Sequence, residues 1–282
     1  MISPVAASPL PAAVARHYDQ LDRLYRELWG EHVHHGLWTT GRESPRDAVL
    51  ALSHHVARRA RVAPGHRVCD VGCGYGGTAR LLAGEYGAHV TGLTITPAQH
   101  AYAVRHTPGA NPCFLLRDWL RNALPDAGFD AVIAIESTEH MADKARCLAE
   151  AFRVLRPGGQ LVVCAWLTAE RPARWQVRHL LQPICAEGRL AGLGSRADYE
   201  RLLAGAGFVV RQVEDVSHRV RRTWPICIRR LAVALARDAE YRGMLMDPDF
   251  DDRVFAVTML RLWAAYRVGA MRYGIFTAQR PG

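Results

Sequence analysis

The sequence has no apolar run of about 18 residues, so no segment reads as a membrane-spanning helix. Its seven cysteines include no Cys-x-x-Cys pair, and seven is an odd number. Several lie inside apolar runs, as Cys164 does in LVVCAW, which fits a reduced, cytoplasmic chain rather than a disulfide scaffold. The opening stretch lacks a basic n-region and a long apolar h-region, so it reads as a loose tail and not as a signal peptide. Also missing is the interleaved aromatic–basic platform of single-strand binders. The net charge of +9 is carried almost entirely by scattered arginines and reads as solvated surface; no nucleic-acid partner is expected. Clustered metal-ligand candidates occur only in EHVHHG (31–36), which reads as a polar turn or a substrate-facing lid, with no metal site expected.

What is present is a chain of 282 residues, 49% hydrophobic, enough for one large core. Residues 10–30 place Val14, Tyr18, Leu21, Leu24, Tyr25 and Leu28 at helical spacing, with a stop near Gly30. Ser44 stands as N-cap and Pro45 as first residue of the next helix. Strands and helices then alternate: strand 67–71, helix 77–86, strand 88–96, helix 97–106, strands 111–118 and 129–136, helix 143–155, strand 160–166. Such repetition predicts an α/β fold with a doubly wound, mostly parallel sheet covered on both faces. The rhythm breaks afterwards: helix 195–208, strand 209–217, a helix-rich stretch 223–268 and a last strand in 271–281. The expected organisation is a tail and helical lid (1–45), a core (46–217), a helical insertion over the substrate (218–270) and a final strand of the core sheet (271–282).

VCDVGCGYGG carries Gly72, Gly74 and Gly77, a G-x-G-x-x-G run between a strand and a helix. Alone it fits a dinucleotide site as well as an adenosylmethionine site. A dinucleotide fold wants an acid about 20 residues further on for the ribose, and Thr94 stands there. Asp70, two residues before the first glycine, would repel a pyrophosphate but suits a cationic amino group or orients the loop. Asp118, at the end of the third strand, is placed either to accept from an adenine amino group or to cap a helix.

The set VCDVGCGYGG, GLTITPAQ, RDW, FDAVIAIESTEHM and VLRPGGQLVV resembles the class I S-adenosylmethionine-dependent methyltransferases over about residues 60–170. The resemblance implies a Rossmann-like, seven-stranded sheet and S-adenosyl-L-methionine as cofactor, with S-adenosyl-L-homocysteine as product. It implies that loop 70–77, with Gly72 and Gly74, holds the methionine part, and that Asp118 and Trp119 meet the adenine. Thr94, Thr96 and Gln99 match the branch of tocopherol O-methyltransferase-like and cyclopropane-fatty-acid-synthase-like enzymes, where hydroxyl and amide contacts replace the ribose acid. HYDQLDRLYRELWGEHVHHGLW (17–38) is similar to that branch's N-terminal signature, which implies that Tyr18 helps close over the cofactor. The implied acceptor is a small, largely apolar secondary metabolite. O-methylation ranks first, C-methylation second, with the arginine-rich stretch 218–230 available to an acidic group such as a diphosphate, and N-methylation third. The non-catalytic alternative is an S-adenosylmethionine-binding module.

IESTEHM ends the strand 129–136 and so faces the crevice where an open α/β sheet binds ligands. Histidine is suited to taking a proton near neutral pH. The catalytic candidates are therefore Glu136, His140 and Glu139. On a regular helix, positions 136 and 140 share a face, so Glu136 is expected to orient His140; in an irregular loop Glu139 would serve instead. The missing ribose acid and the presence of Asp70 predict that calorimetry will detect binding of S-adenosylhomocysteine and none of NAD.

Overall fold

The apolar runs from residue 67 onward pair into one sheet because their β-branched and aliphatic side chains pack on both faces. The computed structural model describes residues 1–3, 11–247 and 254–282. The chain opens with helices α1 (Pro11–Gln20), α2 (Asp22–Trp29) and α3 (Pro45–Arg59). The glycine turn joins β1 (Arg67–Val71) to α4 (Gly77–Tyr86); β2 (His89–Thr94), α5 (Pro97–Arg105), β3 (Cys113–Leu116), β4 (Phe129–Ile135), α6 (Lys144–Val154) and β5 (Leu155–Thr168) follow. After β5 come α7 (Arg174–Gln176), a π-helical turn and α8 (Gln182–Glu187), then α9 (Arg196–Gly205) and β6 (Val209–Asp215). Helices α10 (Ser217–Val220), α11 (Thr223–Arg237), α12 (Ala239–Met246) and α13 (Phe255–Arg267) separate β6 from β7 (Met271–Gln279).

The sheet order is β3-β2-β1-β4-β5-β7-β6. All neighbours are parallel except β7, which runs antiparallel between β5 and β6. Alternation within β4 shows how one strand serves two cores. Ala131, Ile133 and Ile135 join the larger cluster with α3, α4 and the helices after β6. Val132 and Ala134 join the other cluster, with α6 and α9. Ser44 caps α3 by accepting the Asp47 N–H, with Pro45 at the first position, as its residue types demand.

Two elements differ from the sequence reading. The helix expected across 10–30 is two helices, broken at Leu21, whose side chain is buried in the core. And β5 starts at Leu155, the last residue of the expected helix and ahead of the RPGG turn, because Leu155 pairs with Phe129 before an irregularity in the β4–β5 register. Among the described residues no helix is long and apolar enough to cross a membrane.

Ile133 is fully buried in the central strand. Ile133→Ala is expected to lower the unfolding free energy by about 2–5 kcal/mol in urea titration, the cost of lost burial plus a cavity.

Candidate active site

The winding of the sheet reverses between β1 and β4, and ligands of open α/β sheets bind beyond the strand ends at such a point. The chain leaves β1 through Gly72 (φ +76°) and Gly74 (φ +55°). A Cβ on Gly72 would stand 2.4 Å from the Cβ of Ser137, so the loop can touch the turn after β4 only with glycine there. A Cβ on Gly74 would meet nothing within 4 Å. Both glycines line a groove of about 500 Å³.

Thr94, Thr96 and Gln99 line the same groove beyond β2, Asp118 and Trp119 beyond β3, and Tyr18 from α1. The Thr94 hydroxyl donates to Gln99 Oε1 (2.9 Å) and accepts the Thr96 N–H (3.2 Å), so the three act as one hydrogen-bonded unit. Asp118 is a cap: its Oδ1 accepts the Leu120 N–H at 2.9 Å. Trp119 is fixed by its Nε1–H, which donates to the Cys147 carbonyl at 3.0 Å. Asp70 is not part of the groove wall. It lies 3% exposed, its Oδ2 has no partner among the described residues, and burial pushes its carboxyl up to about 7.

Glu136 follows β4 with φ +53°, a left-handed conformation that costs a non-glycine residue about 1–2 kcal/mol. That turn drives its side chain into the protein, where four donors meet it. Oε1 accepts the His35 N–H (2.7 Å) and the Tyr273 hydroxyl (2.7 Å). Oε2 accepts the His35 Nδ1–H (2.9 Å) and the Trp166 Nε1–H (2.7 Å). Burial alone would raise the pKa of this carboxyl, but attraction to His35 and the bonds from it prevail and hold it at about 2. Glu136 is thus an ionised and saturated anchor with no free lone pair to take a proton.

The expected pairing of Glu136 with His140 is not formed. Residues Thr138–His140 make a single 3-10 turn, not a regular helix, so 136 and 140 do not share a face. Nor does Glu139 orient the histidine. Its Oε1 accepts the backbone N–H of Trp166, its Oε2 is buried without a partner among the described residues, and burial raises its pKa while lowering that of nearby Lys144. Instead His140 is set by two groups that sequence spacing could not reveal. Its Nδ1–H donates to the Arg189 carbonyl (3.0 Å), which fixes the tautomer. Its Nε2 therefore accepts, from the Tyr18 hydroxyl at 3.0 Å. Burial holds the imidazole neutral down to about pH 4, with the Arg189 bond opposing in part.

A second cavity, about 70 Å³, lies between the strand ends and the helices after β6. Trp29, Trp166, Trp224, Met259 and Leu262 give it an apolar wall, and His35 and Glu139 also line it. Tyr18, Val33, Glu136 and His140 line both chambers and form the seam between them. Of the three histidines of EHVHHG, His32 and His34 both meet the Ser53 hydroxyl (3.5 and 3.4 Å), His34 Nδ1 bonds the His35 carbonyl, and His35 holds Glu136. His35, Tyr273 and Arg189 were missed as site residues; of these only His35 had a signal, in the histidine cluster before Gly36. Removing the anchor would strand four donors in the interior. Glu136→Ala is expected to cost about 3–5 kcal/mol of stability by denaturant titration, and Glu136→Gln less, since its carbonyl oxygen still accepts.

Comparison with known proteins agrees with this geometry. Residues 69–163 match a family described as a methyltransferase domain. The chain is 30% identical to tocopherol O-methyltransferase, chloroplastic, of Arabidopsis thaliana, over 96% of this chain and 83% of that one. It is 29% identical to the 27-O-demethylrifamycin SV methyltransferase of Amycolatopsis mediterranei, covering 97% and 98%. The crystal structure of the cyclase SpnF superposes with a TM-score of 0.80 at 28% identity, over 99% of both chains. With a relative 30% identical over 96% of this chain, a sheet of this order and a glycine turn opening on a groove, the chain belongs to the class I S-adenosylmethionine-dependent methyltransferases.

Proposed function

We propose that this methyltransferase O-methylates a hydroxyl group on a small, largely apolar metabolite of secondary metabolism. The observation that carries the reading is the neutral His140 imidazole, its Nε2 bonded to Tyr18 at the seam of the two chambers. The names of the two curated relatives, both O-methylating enzymes, point the same way. C-methylation and N-methylation are the competing reactions.

The groove suits an adenosyl amino acid. Gly72 and Gly74 keep its floor open, Thr94 and Gln99 offer hydroxyl and amide to ribose hydroxyls, and Asp118 and Trp119 border the adenine end. The unpartnered Asp70 carboxyl behind the loop favours an ammonium group and disfavours a pyrophosphate. When bound, S-adenosylmethionine supplies a methyl group already activated as a sulfonium. The chain then has to place the acceptor, exclude water and remove a proton. An acceptor hydroxyl bonded to the Tyr18 oxygen passes its proton there as Tyr18 passes its own to His140 Nε2. An imidazole of pKa about 4 does not ionise a phenol beforehand, so the proton leaves only as the acceptor oxygen becomes acidic in the reaction. Helices α10–α13 serve as the cap over the acceptor. The cavity of about 70 Å³ is well below the roughly 300–1,000 Å³ of ordinary small-molecule pockets, so the acceptor enters by displacing the cap. A working place in the cytoplasm accords with seven cysteines that are all unpaired.

The test is methyl transfer to a panel of alkylated phenols, read as gain of one methylene in mass. His140→Ala and Tyr18→Phe are each expected to lower kcat about 100-fold. The acid limb of the wild-type pH profile is expected near 4, not near the ordinary histidine value of 6.5, because the folded site favours the neutral ring. Turnover and pH profile unchanged in His140→Ala would remove the proton-acceptor role.

A further inference from the structure

Helix α13 is apolar on two sides. Its inner residues Met259 and Leu262 line the acceptor cavity. Its outer residues Val257, Leu260 and Trp263, with Val268 just past its end, are between 39% and 51% exposed. Trp175 on α7 stands 52% exposed next to them, since the Gln176 side chain donates to the Val268 carbonyl at 3.1 Å. Of the seven tryptophans, Trp175 and Trp263 are exposed, and the other five are buried or half-buried. An exposed run of large apolar groups of this kind marks a surface that meets something other than water.

The segments that form this face carry charge of one sign. Residues 171–186, 217–237 and 254–270 hold eleven arginines and no aspartate or glutamate. His218, Arg219, Arg221 and Arg222, from α10 and the residues after it, gather with Trp263 and Arg267 around one surface hollow of about 450 Å³. The Arg267 guanidinium lies over the Trp263 ring, 5.5 Å from its centre, so one anchor presents an apolar body and a cationic edge. Nearby carboxylates are engaged: Glu187 accepts from Arg261 and Thr258, and Glu43 from the Thr39 and Thr40 N–H groups in the wall of the hollow. Asp249, Asp251 and Asp252 precede α13 and lie outside the described residues, so the contact is placed at the other end of the helix, at Trp263 and Arg267.

We propose that this face docks on an anionic lipid bilayer, with Trp175, Leu260, Trp263 and Val268 in the interface and the arginines against acidic headgroups. Tryptophan favours that depth because its ring is apolar and its N–H polar, and arginines without acids among them are drawn to a negative leaflet. A second copy of the chain would bring the same arginines face to face across a twofold axis, so charge opposes a dimer here. An acidic protein would match the charge, but an exposed run of aliphatic and indole groups along one helix suits lipid better. Docking gives the cap a purpose: an apolar acceptor dissolved in the bilayer reaches the cavity beneath α13 without crossing water. That step rests on the reading of the cavity as an acceptor site; the docking itself does not.

The experiment is flotation of the full chain with vesicles of phosphatidylcholine alone and of phosphatidylcholine mixed with phosphatidylglycerol, the mixed set also prepared with brominated acyl chains. Binding to the mixed vesicles is expected to be at least about tenfold tighter than to phosphatidylcholine, and to weaken about tenfold between about 0.05 and about 0.5 M salt. Brominated chains are expected to quench the tryptophan fluorescence of the wild type. The double variant Trp175→Phe, Trp263→Phe is expected to bind and to lose that quenching, because the five remaining indoles are not exposed. Leu260→Asp is expected to lower vesicle affinity at least about tenfold with S-adenosylhomocysteine binding unchanged; Val104→Asp, equally exposed on α5, is expected to change neither. Should Leu260→Asp fail to fold, the quenching still decides, since it is read in the wild type. Equal binding to the two vesicle types, no binding to either, or binding without quenching overturns the proposal. So does binding of soluble polyglutamate with none of the vesicles, which assigns the face to an acidic protein. Vesicle binding is scored without an acceptor, so a chain that methylates phenols in solution and binds no vesicles loses this surface alone, and one that docks without methylating them loses the proposed function alone.

Discussion

One buried carboxylate organises this site. Glu136 joins four parts of the chain that are far apart in sequence: the end of β4, the histidine turn before α3, the indole on β5 and the phenol on β7. An ionised group this deep is tolerated only when its lone pairs are satisfied, and four donors satisfy them. The consequence reaches both chambers. A saturated Glu136 has no lone pair left to act as a base, which leaves the proposed proton transfer to His140; and the bond it takes from Nδ1 fixes the His35 ring in the wall of the second cavity.

The same economy of hydrogen bonds governs His140. Its donor is fixed on a backbone carbonyl at Arg189, itself in the left-handed region at φ +53°, so the acceptor nitrogen has to face Tyr18. Tyr18 belongs to the N-terminal helix that lines the cofactor groove, and His140 to the strand end. Their bond therefore closes the seam between the groove and the cavity. In the proposed mechanism, proton transfer and closure over the cofactor depend on that one contact, which ties chemistry to the position of the N-terminal helix.

Much of this was legible in the residues. The alternation of apolar strands with helices from 67 onward is a local, periodic signal, and the sheet follows it; the glycine turn, the Thr94–Gln99 unit and the strand end at 136 are where their motifs place them. The boundaries that shifted did so for tertiary reasons, as at Leu21, a buried residue that breaks the first helix, and at Leu155, which pairs with Phe129. The pairing of Glu136 with His140 failed because it assumed a regular helix, whereas Ser137 packs under Gly72 and the turn tightens to 3-10 geometry.

By itself, then, the sequence determined the fold, the family and the ends of strands that meet the ligands, because those depend on periodicity and on short motifs whose residues are neighbours in the chain. Only the tertiary structure decided what each site residue does. Whether a carboxylate is a base or an anchor, and which nitrogen of a histidine is free, depend on donors arriving from residues 35, 166, 189 and 273, and nothing in the local sequence around 136–140 records their approach.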